Sequence, residues 1–306
     1  MRLGFALPVS GVAASPDNLA TVARRAEALG YASLWVFQRL LYALEPKNEY
    51  YGAPGKVWPK PFERVFDPIV ALSYVAAVTE RIRLGTSVLI TPFYSPVVLA
   101  KMLATLDVVS KGRLHVGLGI GWSEDEYDAA GAPFRERGAR ADEFLKALSM
   151  AWTEDVVEFH GRFYQIPKSR IEPKPVQKPR PPITLGGYSA ATIHRAVTLA
   201  DGYNGGNVPL DRIAPLVDEL RAAAKAVGRD PATLDVVCRG VFRVHATPQG
   251  AGRRPLWGTI DEIRQDIARY EAAGVTELFV ETNFDPALAD GSRAQEIMEA
   301  LAPRRA

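Results

Sequence analysis

The chain has 306 residues, 47% of them apolar and 24% charged, the balance of a globular protein that can bury a sizeable core. Thirty-seven basic residues against 35 acidic ones leave a formal charge of +2, so no basic surplus points to a nucleic-acid partner. One cysteine, Cys238, excludes an intramolecular disulfide and a cysteine-rich zinc site, and His115, His160, His194 and His245 form no i, i+4 metal pair.

The first strand candidate is 2–7, RLGFAL. It is too short for a secretory h-region, and no window reaches the ~18 uninterrupted apolar residues of a membrane span, so a cytoplasmic protein with no membrane partner is expected. Residues 17–29 place Leu19, Val22, Ala23, Ala26 and Leu29 on one stripe, with Gly30 where a helix would end. A second strand follows at 32–37 (ASLWVF), a third at 82–90 (IRLGTSVLI) and a fourth at 113–119 (RLHVGLG). Helical periodicity covers 96–110, behind the Ser95-Pro96 start signal, and 138–152. The later strands are 182–186, 202–204, 234–239 and 276–281, separated by helical segments 189–200, 210–227, 259–273 and 291–302. Thr259 and Glu262 have capping-box spacing.

The strands are near-continuously apolar, as parallel strands covered on both faces must be. Eight strand–helix alternations in one chain predict a (β/α)₈ TIM barrel formed by a single domain, 1–306, with insertion loops at the C-terminal face. The open doubly wound alternative lacks its fingerprint, since strand one runs into Pro8-Val9-Ser10-Gly11. Insertions fall at about 38–66, 120–137 and 153–181. The first two follow strands and belong at the mouth, where barrel active sites form. The first carries Tyr42, Tyr50, Tyr51 and Trp58, beside Trp35, and reads as a lid over a flat ligand or as a barrel decoration or dimer contact.

Four segments carry candidate chemistry. In 183–192, a strand runs into Gly186 and Gly187, then Ser189 opens a helix. The backbone can approach a ligand closely there, and free N–H groups favour an anion such as phosphate. A tight turn with Ser189 as a plain cap explains the same residues. Asn204 and Gly205 end the next strand in similar style, and Thr86-Ser87-Val88 places small residues at the end of strand three. Alternate glycines at 117, 119 and 121 clear one face of strand four before Trp122. His115 reads as structural rather than catalytic.

These segments together resemble the luciferase-like oxidoreductase family, and more closely its actinobacterial F420-dependent subgroup. The resemblance is carried by Glu27–Tyr31 with Leu34-Trp35-Val36, Val78–Val88, Val98–Lys101 through Asp107, and Ser110–Leu114. It continues through Gly117–Trp122, Arg137–Arg140, Gly161–Tyr164, Pro173–Gln177, Pro182–Gly187 and Ala200–Tyr203. It implies coenzyme F420 or FMN across the barrel mouth, and a bulge at Ser87-Val88 with a non-prolyl cis peptide against the cofactor ring. Trp35, Thr86 and Gly119 join that ring site. Gly186, Gly187 and Ser189 would grip phosphate, with Asn204 and Gly205 nearby, and Arg239 would neutralise an acidic tail or substrate anion.

The chain also departs from its relatives. Where they carry an acid followed by His or Arg after the strand-two tryptophan, this chain has Gln38 and Arg39. Gln38 is no proton donor, whereas Arg39 can orient a substrate or stabilise an enolate. Trp122 stands where some relatives have glutamate; Glu124, Asp125 and Glu126 follow it, as a displaced acid or as a solvated helix start. Gln38, Arg39 and Trp122 are therefore the catalytic candidates.

Three functions are expected in competition. The first is F420-dependent hydride transfer with a small organic substrate, towards which Arg39, Arg239 and Arg243 tilt as partners of an acidic tail. The second is an FMN-dependent monooxygenase fed by a partner reductase, and the third a cofactor-binding barrel without turnover. A flavin or F420 reductase is the candidate protein partner. Helix faces at 68–78 and 96–110 could form a homodimer or pack on the barrel.

Overall fold

The structure is a computed structural model that describes residues 1–50, 55, 57–206, 208–250, 252–285 and 291–303; Tyr51, Pro54 and Asn207 lie outside them. Eight parallel strands are β1 (Arg2–Ala6), β2 (Ser33–Val36), β3 (Arg83–Thr86), β4 (Leu114–Gly119), β5 (Ile183–Leu185), β6 (Gly202–Gly206), β7 (Asp235–Val241) and β8 (Glu277–Glu281). Each pairs with its sequence neighbour, and β1 pairs with β8 through Arg2↔Glu277 to Phe5↔Val280, which closes a TIM barrel. The third strand is interrupted at Ser87–Val88, whose peptide bond is cis, and resumes at Leu89–Ile90 beside β4. The cis bond stands where the resemblance placed it.

The helices are α1 (Pro16–Leu29), α2 (Pro68–Ala76), α3 (Pro96–Val109), α4 (Glu124–Ala129), α5 (Arg137–Thr153), α6 (Ala190–Thr198), α7 (Leu210–Ala226), α8 (Ile260–Ala272) and α9 (Gly291–Ala300). Local chemistry fixes their ends. The Thr259–Glu262 capping box is formed in both directions at α8, and Gly30 ends α1 with φ of 87°. Ser95 occupies the N-cap of α3 but makes no side-chain cap bond; Pro96 alone sets that start. Among the described residues no helix is long and apolar enough to cross a membrane.

The insertions differ in placement. Residues 38–66 and 120–137 extend from the strand C-termini, as expected. Residues 153–181 precede β5 and so lie at the opposite end, where Val157–His160 and Gln165–Ser169 form an antiparallel hairpin. Gln177 there bonds Asp107 at 2.7 Å and the Leu114 carbonyl at 2.7 Å, sealing the entry of β4. The two insertions expected at the mouth are there, and the third closes the other end of the barrel.

The barrel interior below the mouth is packed and charged. Trp35 is fully buried and stacks on Phe279 with centroids 5.0 Å apart. A Cβ on Gly85 would sit 2.5 Å from the Trp35 ring, so the glycine supplies the space that the indole fills. Beneath it, Glu277 accepts the Trp35 indole N–H at 2.9 Å, the Arg2 Nε–H at 2.9 Å and the Ser33 hydroxyl, and lies 3.5 Å from Arg83. Arg2 also reaches Asp235 at 2.6 Å. Burial would raise the Glu277 carboxyl, but Arg83, Ser33 and the other cations hold it below the usual range.

Candidate functional site

The mouth holds a cavity of about 280 Å³, near the lower end of small-molecule sites, built at the strand C-termini. One wall is the interruption of the third strand. Val88 projects between β4 and β5: a Cβ on Gly119 would lie 2.6 Å from Val88 Cγ2, and one on Gly186 would lie 3.0 Å from Cγ1. The glycines thus admit the Val88 side chain. The Ser87 hydroxyl donates to Asn204 Oδ1 at 2.9 Å, fastening the bulge to β6. Ser87, Val88, Gly119, Gly186, Gly187, Asn204 and Arg239 all line the cavity.

Strand alternation puts other candidates elsewhere. Trp35 does not reach the cavity; it is the core filler described above, and the expectation that it walls the cofactor pocket is corrected. Thr86 is buried, and its hydroxyl exchanges bonds with Gly117 N (2.9 Å) and O (2.8 Å), lacing β3 to β4. Gly205 faces Tyr203 and Val208, while its neighbour Gly206 lines the cavity instead. Ser189 is outside the lining: its hydroxyl accepts the Thr192 N–H at 3.2 Å and caps α6. A recess of about 20 Å³ adjoins Gly119, Ile120 and Gly186 and runs to Thr192 and Arg195. Arg195 is held by Asp142 at 2.5 Å and by the Gly138 carbonyl at 3.0 Å. Sequence reasoning missed Thr192 and Arg195, although their spacing from Ser189 places them on the first turns of the same helix.

His115 lies inside the barrel below the mouth. Its Nδ1 faces Arg83 and its Nε2 lies 3.2 Å from Thr184, so the ring is neutral with Nε2–H as donor. Burial, then Arg83, pushes its pKa down to about 4. Burial pushes the Cys238 thiol up to about 12, so it is no thiolate nucleophile.

The opposite wall comes from 38–66 and the segment after β4. Gln38 is 2% exposed and lines the cavity, but its amide is committed. Its Oε1 accepts the Ile90 N–H at 2.7 Å and its Nε2 donates to the Tyr94 hydroxyl at 2.5 Å. Burial pushes that phenol up to about 12. Gln38 therefore braces the resumed third strand. Trp122 meets Trp58 at 5.0 Å and Tyr50 at 5.6 Å between centroids, completing an aromatic wall with Phe37 and Phe62.

Arg39 is the charged element of that wall. Its Nε donates to the Gln38 carbonyl at 2.8 Å, and its Nη1 to Glu126 at 2.7 Å. Its guanidinium carbon lies 5.0 Å from the Trp122 ring centroid and 5.3 Å from that of Phe62. Glu126 is fully buried and also accepts the Leu40 N–H at 2.7 Å. Burial raises its pKa, against the pull of Arg39. The solvated-helix-start reading therefore fails at Glu126. Glu124 and Asp125 bond Asn48 and the Lys47 N–H at 3.0 Å each, so the acidic turn of α4 clasps the loop.

The other cations are matched too. Arg239 lies over Phe284 at 5.7 Å and close enough to buried Glu281 to oppose the rise that burial imposes on that carboxyl. Arg243 stacks on Trp257 at 4.3 Å and does not line the cavity. Of the three arginines, Arg39 and Arg239 line the cavity, each near a buried carboxylate, and Arg243 does not. Among the described residues no cluster of His, Cys, Asp and Glu could hold a metal. A larger groove, about 530 Å³, lies between α1, residues 60–64 and the end of β8. Its polar groups bond one another, as Ser10 does with Asn283 at 3.2 Å and Asn18 with the Ala13 carbonyl at 2.9 Å.

The luciferase-like monooxygenase family model matches residues 1–255. The chain belongs to this family. An uncharacterized protein of Mycobacterium tuberculosis is 38% identical over 213 residues, 66% of this chain and 71% of that protein. The FMNH2-dependent dimethylsulfone monooxygenase of Pseudomonas putida is 38% identical over 155 residues, 50% of this chain and 42% of the enzyme. Among solved structures, an F420-dependent secondary alcohol dehydrogenase superposes with a TM-score of 0.77 at 15% identity, covering 99% of both chains. Family members are flavin- or F420-dependent oxidoreductases and monooxygenases, and this luciferase-like barrel is an enzyme of that class.

Proposed function

We propose that the mouth binds a phosphate-bearing tricyclic redox cofactor, coenzyme F420, and that the enzyme transfers a hydride between it and a small organic substrate. The observation that carries the cofactor reading is the wall made by Ser87, Val88, Gly119 and Gly186, continuous with the recess at Thr192 and Arg195. These residues fit a flat ring with a phosphate tail: an apolar flank for the ring, then N–H groups, hydroxyls and a guanidinium near a helix start. The run of motifs from Glu27 to Tyr203 supports F420. When bound, F420 supplies the hydride donor or acceptor; the chemistry is the cofactor's own.

The chain's residues do the rest. Val88 and Asn204 set the depth at which a ring can lie, and Gly187, Thr192 and Arg195 receive phosphate, with Ser189 holding the start of α6 in place. Phe37, Tyr50, Phe62 and Trp122 keep the reacting groups out of water, and Arg39 faces developing negative charge on a substrate oxygen. Quenching of F420 fluorescence by the purified protein tests this, with saturation as the expected result and FMN as competitor.

A second reading has support of its own. The relative named for FMNH2, together with the matched charges of Arg39 and Arg239, favours an FMN-using monooxygenase supplied by a reductase. Oxygen uptake with reduced FMN and a substrate would select it. We also read 1–306 as one domain, and the chain as a homodimer through α2 and α3, whose outward residues Val70, Tyr74, Val98 and Val109 are exposed and uncharged. Light scattering of the eluted protein checks the mass.

A further inference from the structure

The guanidinium at the mouth is immobilised at each side. Nε is held by the Gln38 carbonyl, Nη1 by Glu126, and the faces by Trp122 and Phe62. Among the described residues neither of these bonds uses Nη2, and Arg39 lines the cavity. Glu126 comes from α4, 87 positions along the chain, and is fully buried, so its charge is not screened by water. A free arginine would attract carboxylates to the mouth. An arginine locked to a buried carboxylate offers directed N–H groups with little net charge.

We propose that Glu126 is a positioning residue that holds Arg39 as half of a neutral pair, so that the mouth takes an uncharged, carbonyl-bearing substrate in preference to a carboxylate. The idea rests on the oxidoreductase reading and narrows it to a substrate class. Arg39 hydrogen-bonds the carbonyl oxygen and stabilises negative charge that develops there, without capturing anions in the resting site. Glu126 touches no substrate and acts through Arg39.

The test uses the full chain and needs no turnover. Trp122 packs against Arg39, so its fluorescence, taken as wild type minus Trp122→Phe, reports charge at that point. Iodide and acrylamide serve as anionic and uncharged quenchers. Glu126→Gln keeps an acceptor for Arg39 and Leu40 but removes the negative charge. We expect iodide quenching of Trp122 to rise about 3- to 10-fold in Glu126→Gln, with acrylamide quenching unchanged. The double variant Arg39→Gln/Glu126→Gln should return to the wild-type ratio. Thermal melting of each variant separates loss of charge from loss of fold. Acetophenone and benzoate, titrated as uncharged and anionic probes of one shape, read the substrate class. Wild type should favour acetophenone, and Glu126→Gln should shift the ratio on the order of tenfold towards benzoate. An unchanged iodide response in Glu126→Gln overturns the proposal, as does a wild type that prefers benzoate or binds neither probe. F420 and FMN titrated on the same preparations keep the two ideas apart. Failure to bind either cofactor removes the oxidoreductase reading and leaves the iodide result standing.

Discussion

At the strand N-termini, Glu277 is shared by Arg2, Arg83, Ser33 and Trp35, and it lines neither the mouth cavity nor the groove beside α1. At the C-terminal ends, Glu126 is as deeply buried and is shared by Arg39 and the Leu40 N–H, but its arginine lines a cavity of about 280 Å³. The lower network joins β1, β2, β3 and β8 to one another. The upper pair joins the loop after β2 to α4 in the insertion after β4, and these segments are free to vary without opening the barrel. Burial of charge alone therefore does not mark a functional site in this protein; burial of charge next to space does.

Glu277 carries the largest expected effect. Replacing it with alanine leaves Arg2 and Arg83 without their shared partner and should cost about 3–5 kcal/mol in urea unfolding. Ligand affinity of the surviving folded protein should stay within about twofold, because additive behaviour is expected between distant sites. A large affinity loss in folded Glu277→Ala would show the two ends to be coupled.

His115 gives the next effect. Its pKa is depressed from 6.5 to about 4, so the unfolded chain binds the extra proton first. Its contribution to stability is whole above pH 6.5 and is lost as pH falls towards 4, on the order of 3 kcal/mol. Urea midpoints measured across that window should fall for wild type and fall less for His115→Gln. Parallel curves would mean that the ring is not buried neutral.

Gly85→Ala forces a methyl against the Trp35 ring and should destabilise by about 1–3 kcal/mol, again with cofactor affinity retained. Ser189→Ala is the smallest change and lies at the start of α6. Loss of the α6 cap should cost about 1 kcal/mol. Affinity for the phosphate-bearing cofactor should drop several-fold more than affinity for its dephosphorylated counterpart. Equal loss for both would leave Ser189 as a cap and nothing more.

These contrasts explain what the amino-acid string disclosed. The eight strands and their helices were legible because doubly covered parallel strands are apolar at every position and the caps are local signals. Ser87-Val88, Gly119, Gly186 and Asn204 were legible as a group because four separate segments pointed to the same family. Trp35 was misplaced for the reason that made its strand easy to find: with both faces buried, the sequence does not say at which depth of the barrel a residue points. Glu126 sat in a run of three acids that looked like a solvated helix start. Its partner lies on a loop after a different strand, and pairing at that separation has no periodic signature. The arginines seemed available for an acidic tail because their carboxylates, Glu126 and Glu281, are far away in sequence.

Titration of purified protein into F420, followed by its fluorescence and by competition with FMN, tests the central claim most directly. Saturable quenching of F420, reversed by excess phosphate-bearing competitor, is the predicted result. Protein that is folded by melting curve yet binds neither F420 nor FMN would contradict the assignment of the mouth as a cofactor site.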